Sequence, residues 1–327
     1  MSSKKNKFYG VNSTLWGHKW GFKDSQFIIN EDKSVTFTGS RYHGVSGEKL
    51  PYLVPFVEKI LAIKIKPEPY FNEIKTKYVS DRNINQPFMD ELKSEFKNDQ
   101  YTFEDNERLL HSHGQNGPDE VFKVLYNKLQ KFADLVFYVE SDEDTEKLIN
   151  LAIKHDVCLV PFGGGTNVTN ALKLPKQESR MIVSVDTRRL SKIESMDKKN
   201  LLVTVQAGIT GKSLEEQLQK EGYTVGHEPD SIELSTLGGW ISTNAAGMKK
   251  NRYGNIEDIV QNVTMITPNG TINQLKPLVR SSIGIKTQNL LFGSEGNIGI
   301  ITKATLRMHK LPEASDYESV VLKDWDT

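Results

Sequence analysis

The sequence has 327 residues, one cysteine, and 42 Lys plus Arg against 42 Asp plus Glu. This length can bury a large core and suggests about two domains, while the zero net charge gives no field that would draw the chain to nucleic acid or to an anionic bilayer. One cysteine excludes an internal disulfide and fits a reducing compartment. No apolar run approaches the ~18 residues of a membrane-spanning helix, so we expect a soluble, intracellular protein.

The first 130 residues predict an extended arm followed by helices. In the arm, "SVTFTG" (residues 34–39) could form one short strand. Two later stretches have helical apolar spacing, the first with Leu53, Phe56, Val57, Ile60 and Leu61 on one face, the second with Val121, Val124, Leu125 and Leu129. The first helix could lie on a membrane surface, but we favour packing against a neighbouring domain, which produces the same pattern.

From Asp134 onward the pattern alternates between strands and helices. "DLVFYVE" predicts a strand, "SDEDTEKLINLAIKHD" a helix capped by Ser141, and "VCLVPF" a second strand in which Cys158 is buried. Strands follow in "MIVSVD" and "NLLVTVQAG", then a helix from the cap Thr210 to Gly222. "IVQNVTMITPNGTINQL" predicts a hairpin, and "GSEGNIGIITKATLRM" ends with a strand. The fold class is α+β.

The stretch "PFGGGTNVT" (residues 161–169) joins three glycines to a Thr-Asn pair after a predicted strand. A P-loop needs a Lys after its last glycine, and a Rossmann turn reads G-x-G-x-x-G into a helix, so both are excluded. Successive N–H groups without a Cβ nearby could instead form an anion-binding nest for a pyrophosphate, with positive φ at Gly164 and side-chain donors from Thr166 and Asn167. An ordinary tight turn is the alternative.

Two further segments are rich in small residues. One contains Gly238, Gly239, Ala245, Ala246 and Gly247, and the other contains Gly293, Gly296 and Gly299. A long ligand could lie close against such backbone, with Ser and Thr hydroxyls alongside. Three segments of this kind on one α+β scaffold favour a single extended cofactor.

The order of these motifs is similar to a known family. P-x-G-G-G-T-N, then P-D-S with S-T-x-G-G-W-x-S-T-x-A-x-G and Y-G-N-I-E-D, then G-S-E-G-x-x-G-I-I-T, resembles the FAD-binding domain of the vanillyl-alcohol oxidase type. Within that superfamily, "KWGFKDSQF", "TGSRYHGVSGEKLP", "RLLHSHGQ" and "GMKKNRYGNIED" resemble the alkyldihydroxyacetonephosphate synthase family. The resemblance implies an N-terminal arm and helical region at 1–130, a two-subdomain FAD-binding domain at 131–310, and the start of a truncated substrate domain at 311–327.

The resemblance also implies which residues hold the FAD. They are Pro161, Gly163, Gly164, Gly165, Thr166, Asn167, Val168, Asp230, Ser231, Ser235, Thr236, Gly238, Gly239, Thr243, Asn244, Ala245, Ala246, Tyr253, Gly254, Glu295, Gly296, Asn297, Ile298, Gly299 and Ile301. The family commonly has Arg where this chain has Asn244, so the resemblance implies no charge contact at this position. The glycine loop contains no His or Cys that could link to the flavin, which predicts non-covalent FAD.

The chemistry that the resemblance implies is ether-lipid biosynthesis. The family exchanges the acyl group of acyl-dihydroxyacetone phosphate for a long-chain fatty alcohol, with the flavin N5 as a covalent electron sink and no net redox. Catalytic residues are expected beyond Thr327, so this chain alone should be inactive. The family also implies a peroxisomal location, and we expect a homodimer and association with a membrane surface. The alternatives are an FAD-dependent 2-hydroxy-acid dehydrogenase or alcohol oxidase, or a cofactor-binding module without activity.

Several other side chains allow two interpretations. His111 and His113 have the HxH spacing of metal ligands, but no Cys or carboxylate cluster joins them, and we favour a structural role with no metal bound. His227 could lie near the cofactor or be a hydrogen-bonded core histidine. Lys249 and Lys250 could meet a phosphate, although a solvated pair is the default. Trp240 is expected to pack rather than to stack on the flavin.

Overall fold

A computed structural model describes residues 15, 21–40, 45–66, 79–273, 282, 284, 286–324 and 326. The chain forms two compact units. Unit 1 contains residues 1–189 together with Ile266–Gly270 and Glu295–Ile300, and unit 2 contains Leu190–Met265, Thr271–Ser294 and Ile301–Thr327. Parts of two stretches used for the family resemblance, residues 19–20 and 41–44, lie outside the described residues.

Unit 1 opens with a small antiparallel sheet and a helix. The sheet contains β1 (Gln26–Ile29), β2 (Val35–Thr38) and β3 (Lys49–Leu50), and β2 confirms the strand predicted in the arm. Helix α1 (Leu53–Leu61) is also confirmed, but its predicted packing is wrong for the described chain. Val54 is its one buried residue, whereas the predicted face is open, with Ile60 64% exposed.

The next elements of unit 1 are α2 (Gln86–Glu95), β4 (Tyr101–Thr102), α3 (Asp105–Leu110) and α4 (Pro118–Leu125). Helix α4 is shorter than predicted and leaves Leu129 outside it. The chain leaves the helical path because Asn127 has a φ of 55°, in the left-handed region that Asn tolerates better than most residues.

A four-stranded sheet forms the centre of unit 1. Its order is β4, β5 (Leu135–Tyr138), β7 (Ile182–Asp186) and β6 (Cys158–Phe162), and both β5 and β6 run parallel to β7. Helix α5 (Asp142–Lys154) connects β5 to β6 and begins at Ser141, whose side chain accepts from the Asp144 N–H as predicted. The predicted βαβ unit is confirmed. Cys158, however, is only half-buried because it lies at the edge of the sheet in β6.

Unit 2 is built on a five-stranded sheet of order β12-β11-β13-β9-β8. In chain order, its elements are β8 (Ile193–Asp197), β9 (Leu202–Gln206), α6 (Gly211–Lys220), β10 (Tyr223–Thr224), α7 (Leu237–Thr243), α8 (Lys250–Tyr253), α9 (Ile256–Ile259), β11 (Val260–Thr267), β12 (Gly270–Ile272), β13 (Ile300–Arg307) and β14 (His309–Lys310). Strands β11 and β13 each have one end assigned to unit 1. The predicted hairpin and the Thr210 cap are confirmed.

The sequence patterns missed helices α7, α8 and α9 and the strands β1, β3, β4, β8, β10 and β14. Helix α7 contains two glycines and a threonine, so its intrinsic helix propensity is poor. It forms because Leu237, Trp240 and Ile241 are buried in the core of unit 2. Across the described ranges, no helix is long and apolar enough to cross a membrane.

Candidate cofactor-binding site

The glycine loop (residues 161–170) leaves the sheet of unit 1 at the carboxyl end of β6. This edge of a parallel sheet is where open α/β folds place ligands. The backbone adopts positive φ at Gly165, at 68°, and not at Gly164 as predicted. A Cβ on Gly165 would also lie 3.0 Å from the Phe162 ring, so glycine is required there by conformation and by space.

The backbone of the glycine loop presents unused donors. Within the described part of the chain, the N–H groups of residues 163–167 donate no hydrogen bond. Three of these five residues are glycines, so a ligand can approach their N–H groups without meeting a Cβ. Such a row of N–H groups is the donor set that binds a phosphate.

The Asn167 side chain is the strongest sign of a missing polar partner. Its Oδ1 and Nδ2 atoms are buried, and neither has a hydrogen-bond partner in the described chain. An amide in this state costs about 1–3 kcal/mol unless a ligand or water satisfies it. A pyrophosphate at the glycine loop would supply acceptors for Nδ2 and for the free N–H groups, so the residues present fit this part of FAD.

Gln115 and Asn116 hold the glycine loop in place, a contact that sequence reasoning missed. The backbone N–H of Gln115 donates to the carbonyl oxygen of Gly165 at 2.6 Å. The Asn116 side chain donates from Nδ2 to the carbonyl oxygen of Thr166 at 3.0 Å. These bonds fix the loop carbonyls on one side, which leaves the N–H groups available on the other.

Buried charges lie below the loop. The Asp186 carboxylate accepts hydrogen bonds from Arg188 and lies 3.0 Å from His111 Nε2. Although burial alone would raise the pKa of Asp186, the Arg188 guanidinium and the His111 ring outweigh it and hold that pKa well below its usual range. The Phe162 ring covers this group, with the His111 ring centroid at 4.3 Å and the Arg188 guanidinium at 5.2 Å. The cluster therefore supports the residue that precedes the glycines.

Both histidines of the HxH pair are buried and contact backbone carbonyl oxygens. His111 also contacts the Glu107 carbonyl oxygen through Nδ1 at 2.8 Å, and His113 Nδ1 contacts the Gly114 carbonyl oxygen at 2.7 Å. The described ranges contain no group of three or more His, Cys, Asp or Glu side chains that could hold a metal ion. Burial lowers the pKa of His113 to about 4, so its ring is neutral at pH 7.

A second predicted segment, Glu295–Ile300, meets the glycine loop within unit 1. Thr169 donates from Oγ1 to Glu295 Oε1 at 2.6 Å, and a Cβ on Gly296 would lie 3.1 Å from the Pro161 ring. Beside this contact, a groove of about 450 Å³ lies between residues 296–300 and the residues of α5 and β6, and Pro161 is the residue of the glycine loop that lines it. Its lining includes Pro161, Pro268, Gly296, Asn297, Ile298, Gly299 and Ile300. The structure thus brings two of the three small-residue segments together.

The third segment lies in unit 2, and several of its polar side chains form hydrogen bonds within the segment. Thr236 caps α7 by accepting from the Gly239 N–H, and Thr243 Oγ1 donates to the Gly239 carbonyl oxygen at 2.9 Å. Trp240 is 2% exposed and donates to Ser235 Oγ at 2.8 Å, so the packing interpretation is confirmed. Asn244 ends the helix with φ 49° and ψ 52°, a conformation that suits Asn better than the Arg common in the family.

The remaining predicted positions of unit 2 lie next to α7, at the end of α8 or in β13. Asp230 and Ser231 form the turn before α7, and Ala245 and Ala246 follow it. Tyr253 ends α8, Gly254 follows with a φ of 88°, and Ile301 is buried in β13.

His227 is buried without a hydrogen bond. It is 1% exposed, neither ring nitrogen has a partner among the described residues, and the Trp240 ring centroid lies at 4.7 Å. Burial lowers its pKa to about 4, so the ring is neutral at pH 7. The described residues therefore supply neither ring nitrogen of this core histidine with a hydrogen bond. Nearby, Lys249 pairs with Glu228 at 2.6 Å, and Lys250 is exposed.

Comparisons with known proteins agree with this geometry. Residues 133–276 match the model of a family described as an FAD binding domain. The chain is 39% identical to alkyldihydroxyacetonephosphate synthase of Caenorhabditis elegans, covering 94% of this chain and 51% of the relative, and 33% identical to that of Dictyostelium discoideum, covering 97% and 53%. A solved structure of alkyldihydroxyacetonephosphate synthase superimposes with a TM-score of 0.82 at 31% identity, covering 94% of this chain and 55% of that one.

The fold and the donor-rich loop therefore define the FAD-binding domain of a flavoprotein, and FAD is its cofactor. The chain belongs to the alkyldihydroxyacetonephosphate synthase family. It spans about half the length of the curated relatives it matches. A D-lactate dehydrogenase (cytochrome) of Kluyveromyces lactis matches at 31% identity over 72% of the chain, which is less of the chain than the synthases cover. The dehydrogenase alternative is not favoured.

Proposed function

We propose that this chain is the cofactor-binding part of an enzyme that makes ether lipids. The whole enzyme would exchange the acyl group of acyl-dihydroxyacetone phosphate for a long-chain fatty alcohol and release alkyl-dihydroxyacetone phosphate. The similarity to alkyldihydroxyacetonephosphate synthases over 94% and 97% of the chain supports this proposal. The observation that carries it is the glycine loop, with its free N–H groups and its buried, unsatisfied Asn167 amide.

Residues 131–310 would form the FAD-binding domain, after the N-terminal region at 1–130 and before a substrate domain that begins at 311–327. The N–H groups of residues 163–167 and the Asn167 amide would bind the pyrophosphate. Glu295–Ile300 would close the site beside Pro161, with which Gly296 is in close contact.

In the proposed reaction, the chain positions the cofactor and keeps it non-covalently bound. Bound FAD would supply a flavin N5 that takes up and returns an electron pair, so the exchange has no net redox change. The protein's part in this is to fix the cofactor by its pyrophosphate and to present the flavin in one orientation. Because the chain spans about half the length of its relatives, we infer that these residues alone bind FAD without turnover.

We also propose a homodimer, association with a membrane surface and, from the family resemblance, a peroxisomal location. The membrane association is supported by the open apolar face of α1, where Phe56, Ile60 and Leu61 are 61%, 64% and 58% exposed. Binding of the isolated chain to neutral lipid vesicles, compared with a Phe56→Ser, Ile60→Ser variant, tests this property. Equal binding of both chains would contradict it.

The proposed function is tested with radiolabelled fatty alcohol. Residues 1–327 and a longer chain of the full length typical of the relatives are assayed at matched flavin content. We expect both chains to bind FAD, and only the longer chain to give labelled ether product. Acid precipitation should release the flavin of both chains into the supernatant, because the FAD is bound non-covalently. Bleaching of the flavin by a 2-hydroxy acid, with no ether product from either chain, would instead support a dehydrogenase.

A further inference from the structure

Two buried polar groups converge beneath the glycine loop, beside Gly114. Glu120, in the first turn of α4, is 2% exposed, and its Oε1 accepts a hydrogen bond from the Gly114 N–H at 2.9 Å. The other carboxyl oxygen, Oε2, is buried and has no hydrogen-bond partner among the described residues. The Asn167 amide above it is equally unsatisfied at both Oδ1 and Nδ2.

The absence of a side chain at Gly114 allows these groups to approach each other. A Cβ at this position would lie 2.6 Å from Glu120 Oε2, 3.1 Å from Asn167 Oδ1 and 3.3 Å from Asn167 Nδ2. The first distance is too short for a real contact, so any other residue would displace the carboxyl group. Gly114 has no positive φ, so the close approach of these side chains, and not the backbone conformation, explains a glycine here.

The inventory of donors and acceptors decides how the two groups must pair. The oxygens of a pyrophosphate only accept hydrogen bonds, so Asn167 must present Nδ2 to the ligand and keep Oδ1 toward Glu120. An ionised carboxylate also only accepts and cannot satisfy Oδ1. A protonated carboxyl group can donate to it.

Building on the proposed FAD function, we propose that Glu120 is a positioning residue: its protonated Oε2 donates to Asn167 Oδ1 and turns Asn167 Nδ2 toward the FAD pyrophosphate. Binding of the anionic cofactor is then coupled to the uptake of one proton by Glu120. The coupling follows because the protonated carboxyl group is part of the hydrogen-bond arrangement that the bound state requires.

The charged groups around Glu120 are compatible with this role. Burial raises the pKa of Glu120, and the negative charge of Asp119 raises it further. The hydrogen bond from the Gly114 N–H lowers this pKa, as do the smaller effects of the Lys123 and Lys173 charges. The hydrogen bond from Lys123 lowers the pKa of Asp119, so Asp119 stays ionised at neutral pH. The neighbouring His113, with its pKa lowered to about 4, is neutral there. Glu120 is therefore the group in this cluster whose protonation state can change when the cofactor binds.

The experiment measures FAD affinity against pH, by flavin fluorescence, between about pH 5 and pH 8. The affinity of the parent chain for FAD should fall as the pH rises. The total fall is about tenfold for each pH unit by which FAD binding raises the pKa of Glu120. Glu120→Gln carries a permanent amide donor and still accepts from the Gly114 N–H, so it should bind FAD as tightly as the parent does at acid pH, with a flat profile. Asp119→Asn, on the same helical turn, removes a carboxylate but keeps Glu120, so its affinity should still fall with rising pH.

Identical pH profiles for the parent and Glu120→Gln would overturn the inference while leaving the FAD function standing. Absence of FAD binding by the parent at every pH would refute the FAD function and the inference with it. An Asn167→Ala background provides the coupling control, because Glu120→Gln should then leave the pH profile unchanged. If Glu120→Gln does not fold, calorimetry of the parent in buffers of different ionisation enthalpy decides, since zero proton uptake across the whole pH range would overturn the inference.

Discussion

Thr169 and Glu295 are joined by a hydrogen bond of 2.6 Å from Oγ1 to Oε1, although 126 residues separate them in the chain. This bond closes the glycine loop against Glu295–Ile300 within unit 1. Thr169→Val should weaken FAD binding about twofold, because a solvent-exposed hydrogen bond contributes near the lower end of the usual ~0.5–1.5 kcal/mol. Thr169→Ser keeps the hydroxyl and is the control. A flavin fluorescence titration that finds all three chains equal would show that the bond does not order the site.

Two neighbouring glycines of the loop should respond differently to the same substitution. Gly165→Val should destabilise the fold by about 2 kcal/mol or more, because it places a β-branched residue at a φ of 68° and close to the Phe162 ring. Gly164→Val should leave the fold intact and abolish flavin retention, because its side chain would occupy the space in front of the N–H groups. Circular dichroism and bound-flavin absorbance distinguish these effects. Normal flavin content in a folded Gly164→Val chain would mean that the loop is an ordinary turn.

Asn244 should be worth more to the stability of unit 2 than its exposed position suggests. The left-handed conformation at the end of α7 destabilises the fold by about 1–2 kcal/mol when the residue carries a Cβ. The penalty is smaller for Asn and absent for Gly. We expect Asn244→Arg and Asn244→Ala to lower the free energy of unfolding by about 1 kcal/mol and Asn244→Gly to maintain it. Ser242→Ala, inside the same helix, provides the control. Equal stability of the Arg and Gly variants in urea unfolding would contradict this explanation.

Two neutral buried histidines predict a loss of stability in acid. The pKa values of His113 and His227 are about 4 in the folded chain and 6.5 for a free side chain. Between these values the unfolded chain binds more protons, so stability that is present above pH 6.5 is lost as the pH falls toward 4.

The two histidines can be separated by substitution. His113→Gln and His227→Gln should each reduce the dependence of the unfolding free energy on pH by up to about 1.4 kcal/mol per pH unit, and the double variant by about the sum. Chemical denaturation at several pH values between 4 and 7 measures this dependence. A double variant with the parent slope would exclude these residues as its source.

The sequence predicted the parts of the fold whose signal is local. Ser141 and Thr210 cap helices where a hydroxyl precedes an apolar-periodic run, and the alternation from Asp134 onward predicted the βαβ unit. The glycine loop was also predicted, because glycine has a direct conformational meaning. The left-handed residue was assigned one position too early, to Gly164, since three equal glycines give no local reason to prefer Gly165.

The parts that escaped prediction depend on long-range contacts. Gln115 and Asn116 hold the glycine loop through bonds to Gly165 and Thr166, and these bonds produce no sequence pattern in either segment. Helix α7 opposes its own propensity and forms because its apolar residues are buried in unit 2. The unsatisfied state of Asn167 and Glu120 is likewise a property of burial, which periodicity cannot report. A Gly at 114 beside an acidic helix start was the one local sign of that cluster.

The comparison of FAD with riboflavin tests the central claim most directly, because riboflavin carries the same ring system without the pyrophosphate. If the glycine loop binds the pyrophosphate, the parent chain should bind FAD at least about a hundredfold more tightly than riboflavin, as expected from several charge-assisted hydrogen bonds. ADP should compete with FAD, and Gly164→Val should remove most of the difference between the two flavins. Equal affinity of the parent chain for FAD and riboflavin, with no competition by ADP, would contradict the assignment of the loop as the pyrophosphate site.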